Sequence, residues 1–416
     1  MSLHIPKYTF GVGDRFGHQG QAQLQAFLMA HEQGIDVCPV WNKSNREHTL
    51  IGSKPEDVRA EAKEAVEKLG WKNAYFVDAD HINLKTVDRF IESSDFFTLD
   101  VAEDVGKPSS PEATERFLAR IQPYLGTLTI PGISTPFAIT RQLAQATADQ
   151  FLFAIRTAGE IYRHIESQKG PGRFVTEVSV DETDKPQTPA ELFLILAMIA
   201  EEKIPVQTVA PKFNGRFNKG IDYVGDLVQF EKEFEENLHI LAFAIREFGL
   251  PADLKLSVHS GSDKFSLYPI IRKLVQKHRV GLHVKTAGTT WLEELIGLAE
   301  AGGEGLAIVK EIYSGALDHF AELTQSYTTV LAIDPQYLPS ATEVVAWSSD
   351  RLVKTLRHDP KCPEYNPHFR QLLHVSFKLA AKMGVRYTDA LKANQSIIAR
   401  NVKANLWERH LRPIFG

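Results

Sequence analysis

The sequence is poor in cysteine and has no long hydrophobic segment. Cys38 and Cys362 are the only two cysteines in 416 residues, without CxxC spacing. This excludes a disulfide framework and fits a reducing compartment. Residues 1–8 lack the apolar core of a signal peptide, and the longest apolar run, Leu192–Ala200, is far shorter than the ~20 residues of a membrane span. We expect a cytoplasmic protein without membrane association.

The chain also lacks a strong charge of either sign. It contains 47 Lys and Arg against 52 Asp and Glu, a net charge of −5. The two signs are interspersed, so the sequence does not indicate a nucleic-acid partner. A small anionic substrate needs only a few local positive groups and is compatible with this balance. A homo-oligomer stays open.

Eight short β-rich runs recur in the first 284 residues, each followed by a polar loop and a helical pattern. They are Tyr8–Gly13, Asp36–Val40, Ala74–Val77, Phe96–Val101, Phe174–Val180, Pro205–Ala210, Leu254–Val258 and Val280–Val284. Such alternation predicts an α/β protein with a parallel sheet. Eight strands fit a closed barrel or an open doubly wound sheet. Because no GxGxxG motif follows the first run, we favour the (β/α)8 TIM-type barrel.

The spacing of the runs predicts additions to the barrel. About residues 105–170, between the fourth and fifth strands, form a much longer stretch than the other connections, with a helical pattern from Ala138 to His164. We predict an insertion over one rim, a usual position for a lid. Residues 305–416 carry helical patterns without a preceding flexible linker. We therefore predict a barrel domain of residues 1–304 with a C-terminal helical extension packed on it.

Ionisable residues accumulate at positions predicted to face the barrel lumen. Side chains alternate along a strand, and the apolar positions of the fifth, seventh and eighth runs face the helices. The positions facing inward are Glu177, Ser179, Asp181, Lys255, Ser257, His259, His283 and Lys285, and the inward set of the sixth run is Thr208, Ala210 and Lys212. Asp78, Asp80 and His81 follow the third run, where the alternation is less decisive. Active sites of this fold lie at the C-terminal ends of the strands, so we predict the site there.

Three of these residues predict a metal site. His81, His259 and His283 come from separate strand ends, and three imidazoles that leave one coordination position open are typical of a catalytic divalent metal. Zinc, manganese, cobalt and nickel all accept such ligands. The carboxylates that could complete the shell are Glu177, Asp181 and Glu182. Each histidine alone could be a hydrogen-bonded structural residue, but the convergence of three favours the metal.

Two carboxylates lie near the predicted metal. Asp80 directly precedes His81, and Glu177 is placed across the lumen, so the pair suits general acid and base catalysis on two faces of a substrate. Asp80 could instead orient a ligand histidine. Glu177 could instead form a buried salt bridge with Lys255 or Lys212.

The loop after the seventh run is small and rich in hydrogen-bond donors. Together with the start of the next loop it occupies the rim where barrels commonly bind phosphate or carboxylate. The candidate substrate-binding residues are Lys212, Ser260, Ser262, Lys285 and Thr289. The alternative is that Ser-Gly-Ser only turns the chain and caps the next helix.

Two local stretches, VDADHINL and SVHSGSD with HVKTAGTTW, resemble class II metal-dependent aldolases. Over nearly the full chain, WNKSNREH, YFVDADHINLKTVDRF, VTEVSVDET, APKFNGRFNKGIDYVGD, KLSVHSGSDKFS and NPHFRQLLHVSFKLA resemble the tagaturonate/fructuronate epimerase family. This resemblance implies a divalent metal and the interconversion of two keto-hexuronates. It further implies Asp80 as proton acceptor, Glu177 as proton donor, and His81, His259 and His283 as metal ligands.

The implied reaction is consistent with the likeness to aldolases. The two sugar acids differ at C4, counted from the end nearest the ketone, and C4 is not adjacent to the ketone at C2. Removing the C4 proton would give an unstabilised carbanion, so we predict retro-aldol cleavage of the C3–C4 bond and re-addition. Two alternatives stay open: an aldolase that releases its fragments, and a non-catalytic protein that binds sugar acids.

Overall fold

In a computed structural model, which describes residues 3–181, 183, 185–286 and 288–416, eight parallel strands close into a barrel. Glu182, named above as a candidate metal ligand, lies outside the described residues. The strands are β1 (Tyr8–Gly13), β2 (Cys38–Ser44), β3 (Phe76–Ile82), β4 (Phe96–Asp100), β5 (Gly126–Leu128), β6 (Phe137–Ile139), β7 (Val175–Ser179), β8 (Thr208–Ala210), β9 (Lys255–His259) and β10 (Leu282–Lys285).

The barrel strands follow one another around the ring in chain order, and β10 pairs with β1 to close it. The predicted (β/α)8 barrel is confirmed, and each of the eight β-rich runs forms one of its strands. Two strands continue by several residues beyond the predicted runs, β2 to Ser44 and β3 to Ile82, while β9 and β10 each end one residue later than predicted. The extensions of β2 and β3 consist largely of polar residues, which the apolar pattern could not assign to a strand.

Helices connect the strands and build the region after the barrel. They are α1 (Gly20–Glu32), α2 (Asn45–Ile51), α3 (Pro55–Leu69), α4 (Pro111–Ile121), α5 (Arg141–Lys169), α6 (Pro189–Glu201), α7 (Leu227–Phe248), α8 (Tyr268–His278), α9 (Thr289–Ala301), α10 (Gly303–Asp318), α11 (Phe320–Thr324), α12 (Ala341–Val345), α13 (Ser349–Leu356), α14 (Pro367–Val375), α15 (Phe377–Lys382), α16 (Val385–Ala393), α17 (Gln395–Ala404) and α18 (Arg412–Phe415), with a π-helical segment at Asn405–Leu411.

The most apolar helix, α6, illustrates how the sequence sets these elements. Thr188 and Glu191 form a reciprocal capping box around Pro189 at the first helical position. All residues of α6 from Leu192 to Ile199 are buried, so the apolar run belongs to the protein core. Among the described residues, none of the helices combines the length and the apolar character that crossing a membrane requires.

The insertion between β4 and β7 contains α4, the antiparallel hairpin β5–β6 and α5. The hairpin region packs on the outside of α6 and α7: the Tyr124 ring lies 5.2 Å from that of Phe193, and a Cβ at Gly132 would overlap the His239 imidazole. The prediction that this segment lies over the rim as a lid is therefore wrong. Its apolar residues find partners on the flank of the barrel.

The region after the barrel is helical, as predicted. Helix α17 packs against α1 and α9, and α18 packs against α8, so the chain end completes the outer helical layer. Helix α14 is joined to α9 by a hydrogen bond of 2.9 Å from Trp291 Nε1 to the Leu373 carbonyl. The division into residues 1–304 and 305–416 stays a prediction.

The lumen changes character along its axis. Its N-terminal end is filled by an apolar cluster of Ile5, Cys38, Val40, Phe76, Phe96 and Val175. The C-terminal end holds the ionisable residues that the alternation placed inward. Both cysteines are free.

Candidate active site

A distortion at the end of β3 sets the position of Asp80 and His81. The pairing of β3 with β4 shifts register between Ala79 and Ile82, and His81 adopts a φ of 53°. Residues other than glycine rarely adopt this left-handed backbone conformation, which costs about 1–2 kcal/mol. It lets the adjacent side chains approach each other, with Asp80 Oδ1 2.7 Å from His81 Nδ1.

His259, the last residue of β9, joins two carboxylates. Its Nε2 lies 2.8 Å from Glu177 Oε1, and its Nδ1 lies 3.0 Å from Asp181 Oδ2. The His81 and His259 rings are 5.3 Å apart. His81, Asp181 and His259 can each offer one ligand atom with all three atoms within 4.8 Å of one another. This group is partly open, since the His81 and Asp181 side chains are each 21% exposed.

Lys285, the last residue of β10, lies at the centre of the remaining carboxylates. Its Nζ is 2.9 Å from Asp78 Oδ2, 2.9 Å from Asp80 Oδ1 and 3.2 Å from Glu177 Oε1. Thr98 Oγ1 lies 2.6 Å from the same Nζ. Asp80 and Glu177 therefore converge on a single ammonium group, closer together than the opposite walls expected from the sequence.

These contacts determine the protonation of the site. Burial disfavours the charged forms of Asp80 and Glu177, but Lys285 and a neighbouring histidine outweigh it and hold the pKa of each carboxyl below its usual range. Burial raises the pKa of Asp78 to about 6 against the opposing effect of Lys285. Burial also disfavours the Lys285 ammonium, yet the carboxylates raise its pKa well above its usual value. Lys285 therefore stays charged.

The pKa values of the two histidines in this group are raised. Although burial opposes it, Asp80 raises the pKa of His81 to about 10, and Asp181 with Glu177 raises that of His259 to about 9. Asp181 itself has a pKa below its usual range, because His259 outweighs its burial. The mouth thus carries an excess of carboxylates over its one lysine, which two imidazolium ions or one divalent cation can offset.

His283 is not brought into this group, so its part in the expected set of three histidine ligands stays a prediction. It lies opposite Ser257 in the pairing of β10 with β9, while His259 lies opposite Lys285, so His283 sits one lumen layer deeper. Its Nδ1 is 2.8 Å from Thr9 Oγ1 and its ring centroid 5.3 Å from that of Phe96. Burial lowers the pKa of His283 to about 3. Its Nε2 has no hydrogen-bond partner among the described residues.

Most of the predicted substrate-binding residues have structural partners. Ser260 Oγ donates to the Lys285 carbonyl at 2.8 Å, and Ser262 Oγ accepts the Gly220 backbone N–H at 2.9 Å. The Lys212 ammonium donates to the Thr183 carbonyl. The contacts of Ser260 and Ser262 are therefore those expected if Ser-Gly-Ser shapes the loop. Lys285 belongs to the carboxylate cluster and not to the rim.

Thr289 and the loop after β9 are fastened to the C-terminal helices through Asp263. Thr289 Oγ1 lies 3.3 Å from Asp263 Oδ1. Asp263 Oδ2 accepts from an Arg370 terminal nitrogen at 2.8 Å and lies 3.0 Å from His358 Nδ1. All four side chains are buried. The sequence offered no local signal for this network, because Arg370 and His358 lie about a hundred residues from Asp263.

Thr98 is not among the predicted site residues, and Thr208 is predicted to face inward on the sixth run without a role in the site. Thr98 Oγ1 is 3.0 Å from Asp78 Oδ1, and Thr208 Oγ1 donates to Glu177 Oε2 at 2.8 Å. Threonine is common in strands for steric reasons, so its presence alone carries no functional signal. The lumen position of Thr98 could have been obtained from the same alternation that placed Glu177.

A closed parallel barrel whose C-terminal mouth gathers carboxylates, imidazoles and a lysine with displaced pKa values defines an enzyme of the (β/α)8-barrel class. The sequence model of the tagaturonate epimerase family, UxaE, matches residues 1–395. The chain belongs to this family and is an enzyme of the isomerase class. The expectation of an epimerase is confirmed, and the alternative of a non-catalytic binding protein is wrong.

Relatives support the same assignment. A Thermotoga maritima protein described as a tagaturonate/fructuronate epimerase is 30% identical, over 98% of this chain and 81% of that protein. The native crystal structure of the fructuronate-tagaturonate epimerase UxaE from Cohnella laeviribosi has a TM-score of 0.78 and 25% identity, covering 98% of this chain and 81% of the other. Its complex with one glycerol has a TM-score of 0.82 at 24% identity, covering 99% and 82%, and supports the fold.

Proposed function

We propose that the protein interconverts D-tagaturonate and D-fructuronate at the barrel mouth, with a divalent cation held by His81, Asp181 and His259. The observation that carries this proposal is the convergence of those three ligand groups within 4.8 Å, beside Asp80 and the Lys285 ammonium. The substrates are suggested by the family and by the name of the Thermotoga maritima relative. A cytoplasmic location and a homo-oligomer stay predictions.

The donor set fits a divalent metal. Two imidazoles and a carboxylate with room for substrate are typical of catalytic sites for zinc, manganese, cobalt or nickel. If His259 held a cation together with Asp181, its Nε2, 2.8 Å from Glu177 Oε1, could donate to that carboxylate, and this bond would fix the ring orientation. A cation bound there would supply Lewis-acid polarisation of the substrate ketone.

Asp80 is proposed as the proton acceptor. It takes the proton of the C4 hydroxyl, the C3–C4 bond breaks, and its electron pair passes to the C1–C3 half as an enediolate while C4 becomes an aldehyde. Rotation of the aldehyde half presents its other face, and C3 attacks C4 again. Asp80 suits the first step because Lys285 and His81 keep it ionised, and because it lies at the partly open side of the cluster.

Glu177 is proposed as the proton donor to the new C4 alkoxide. Its own pKa is low, so the proton that it delivers must come from a neighbour. Lys285 contacts both Asp80 and Glu177, at 2.9 and 3.2 Å, and can return the proton gained by one carboxylate to the other. The cycle then ends with each residue in its starting state.

The decisive experiment is to incubate the protein with D-tagaturonate and a divalent cation and to follow the products by NMR. Fructuronate as the product supports the proposal. Free three-carbon fragments would indicate an aldolase instead, and no conversion with any of the four metals would reject both. Excess EDTA is expected to stop turnover and added metal to restore it; turnover that survives EDTA would reject the metal.

A further inference from the structure

His374, on α14, is a buried histidine whose imidazole ring makes no hydrogen bond to any described residue. Only 1% of its surface is exposed, and neither Nδ1 nor Nε2 has a partner among the described residues. A buried polar ring that leaves both nitrogens unpaired lowers stability, and such groups in native proteins usually mark a bound ligand, a water or a catalytic function. The position of this ring indicates which of these applies.

The ring lies at the C-terminal rim of the barrel. It is surrounded by glycines from the loops that follow β8 and β10: a Cβ at Gly220 would lie 3.3 Å from His374 Cβ, and one at Gly288 would overlap Nε2. Gly288 has a φ of −87°, which any residue can adopt, so the backbone does not require glycine there. The His374 imidazole occupies the space that a side chain at Gly288 would fill, beside the loop that follows Lys285.

A second unpaired polar group lies on the same loop as Gly220. Asn218 is 1% exposed, and both atoms of its amide lack a partner in the part of the chain that the structure describes. Its backbone is fixed, since Lys264 Nζ donates to the Asn218 carbonyl at 3.0 Å. Ser262 Oγ also holds the Gly220 N–H at 2.9 Å. The loop is therefore held in place while the Asn218 side chain stays available.

The electrostatic environment favours an anion. Besides burial, which is the largest effect, Arg15, Lys219, Arg370 and Lys264 lower the pKa of His374 well below its usual value. Arg370 is paired with Asp263, and Arg15 with Glu47 at 3.0 Å. These cations therefore contribute a positive potential, while direct hydrogen bonds to an anionic oxygen can come from His374 and Asn218.

We propose that His374 and Asn218 bind the carboxylate of the sugar acid. This inference rests on the proposed function and adds the anchor that the catalytic cluster lacks. Counted from the ketone end, the carboxylate is C6, so it stays on the C4–C6 half when the C3–C4 bond breaks. Holding it lets the aldehyde turn about the C4–C5 bond without leaving, and this retention is what separates an epimerase from an aldolase.

The test compares wild type with His374→Ala on two substrates, D-tagaturonate and the uncharged D-tagatose. The variant is expected to raise KM for tagaturonate at least about tenfold, as for the loss of one charge-assisted hydrogen bond. It should also release dihydroxyacetone and the three-carbon aldehyde acid, while its activity on tagatose equals that of wild type. An equal loss on both substrates, or an unchanged KM without fragments, would overturn the inference.

Matched variants separate this effect from damage to the helix. His368→Gln lies in the first turn of the same helix, where His368 Nδ1 accepts the Asp334 N–H at 2.9 Å, and is expected to keep wild-type KM. Asn218→Ala should reproduce the His374→Ala pattern, and it decides the question if His374→Ala fails to fold. A wild-type KM in Asn218→Ala would refute the anchor.

Failure of the proposed function can be distinguished from failure of the proposed carboxylate anchor. If wild type does not convert tagaturonate, the reaction assignment is wrong, and calorimetric binding of tagaturonate to the metal-loaded protein then tests the anchor alone. Affinity at least about tenfold lower in His374→Ala supports it. Equal affinity in the two proteins, or the absence of binding to wild type, overturns it.

Discussion

Replacing Lys285 by methionine should destabilise the protein in a way that depends on pH. The ammonium lies within 3.2 Å of carboxylate oxygens of Asp78, Asp80 and Glu177, all of them buried. Methionine fills a similar volume but leaves these carboxylates without their cation. Removing one partner of a buried ion pair typically costs about 3–5 kcal/mol, because the remaining charge cannot reach water.

The pH dependence follows from the pKa values. In the wild type, Lys285 holds Asp80 and Glu177 ionised with lowered pKa values, so their stabilisation is present above the ordinary carboxyl pKa and is lost as the pH falls. In Lys285→Met at least one of them must keep a proton. That costs about 1.4 kcal/mol per pH unit above a pKa near 4, hence about 4 kcal/mol at pH 7 and about 1.4 kcal/mol at pH 5. The difference between the proteins should therefore widen as the pH rises.

The assay is urea unfolding in EDTA at pH 5, 6 and 7, followed by circular dichroism. Lys255→Met is the matched control, because Lys255 also lies in the lumen but donates to backbone carbonyls of Pro6 and Lys7. Burial lowers the pKa of Lys255 to about 7, so its effect should stay nearly constant between pH 5 and pH 6. An equal destabilisation by Lys285→Met at every pH would refute the dependence of the carboxylates on this lysine.

Four further substitutions test the assignments around the site. Asp80→Asn is expected to abolish epimerisation while metal content, measured by mass spectrometry, stays near that of wild type; loss of the metal instead would place Asp80 in the coordination shell. Asp181→Asn should weaken metal binding by at least about 100-fold, more than the loss of an outer partner, whereas His283→Gln should stay within about tenfold. The opposite order would restore the set of three histidines. Arg370→Met should lower the free energy of unfolding by about 3 kcal/mol by leaving Asp263 without its cation, and an unchanged urea midpoint would contradict this.

The barrel could be predicted because its signals are local. A short apolar run marks each strand in the sequence, and the alternation of side chains along a strand separates the helix side from the lumen. This parity placed Glu177 and His259 correctly inside. It could not place His81, whose left-handed φ of 53° and the accompanying register shift break the alternation. A single sequence gives no sign of such a distortion.

The alternation along a strand also cannot give the depth of a residue along the barrel axis, and this is why it grouped His283 with His81 and His259. Both His283 and Lys285 face inward, but which of them reaches the level of His259 depends on how β10 is staggered against β9. In a closed barrel the stagger is set by all strands together. Asp181, which follows β7 instead of lying within it, reaches the mouth that His283 does not. Metal ligands predicted from parity alone therefore need the shear of the barrel as a second constraint.

The C-terminal helices were the part of the site least accessible to prediction, and their contacts show that they are not a detachable addition. Asp263 lies in the loop after β9, and its buried carboxylate is bound by Arg370 and His358 from beyond residue 350. Without them the charge would remain in the interior unpaired, a cost that a barrel of this kind could not absorb without moving the loop. Arg370 and His374 are four residues apart and so share one face of α14. The same helix face therefore fixes the rim through one residue and presents the other to the substrate, which predicts that loosening Arg370 should raise KM for tagaturonate even at temperatures where the protein stays folded.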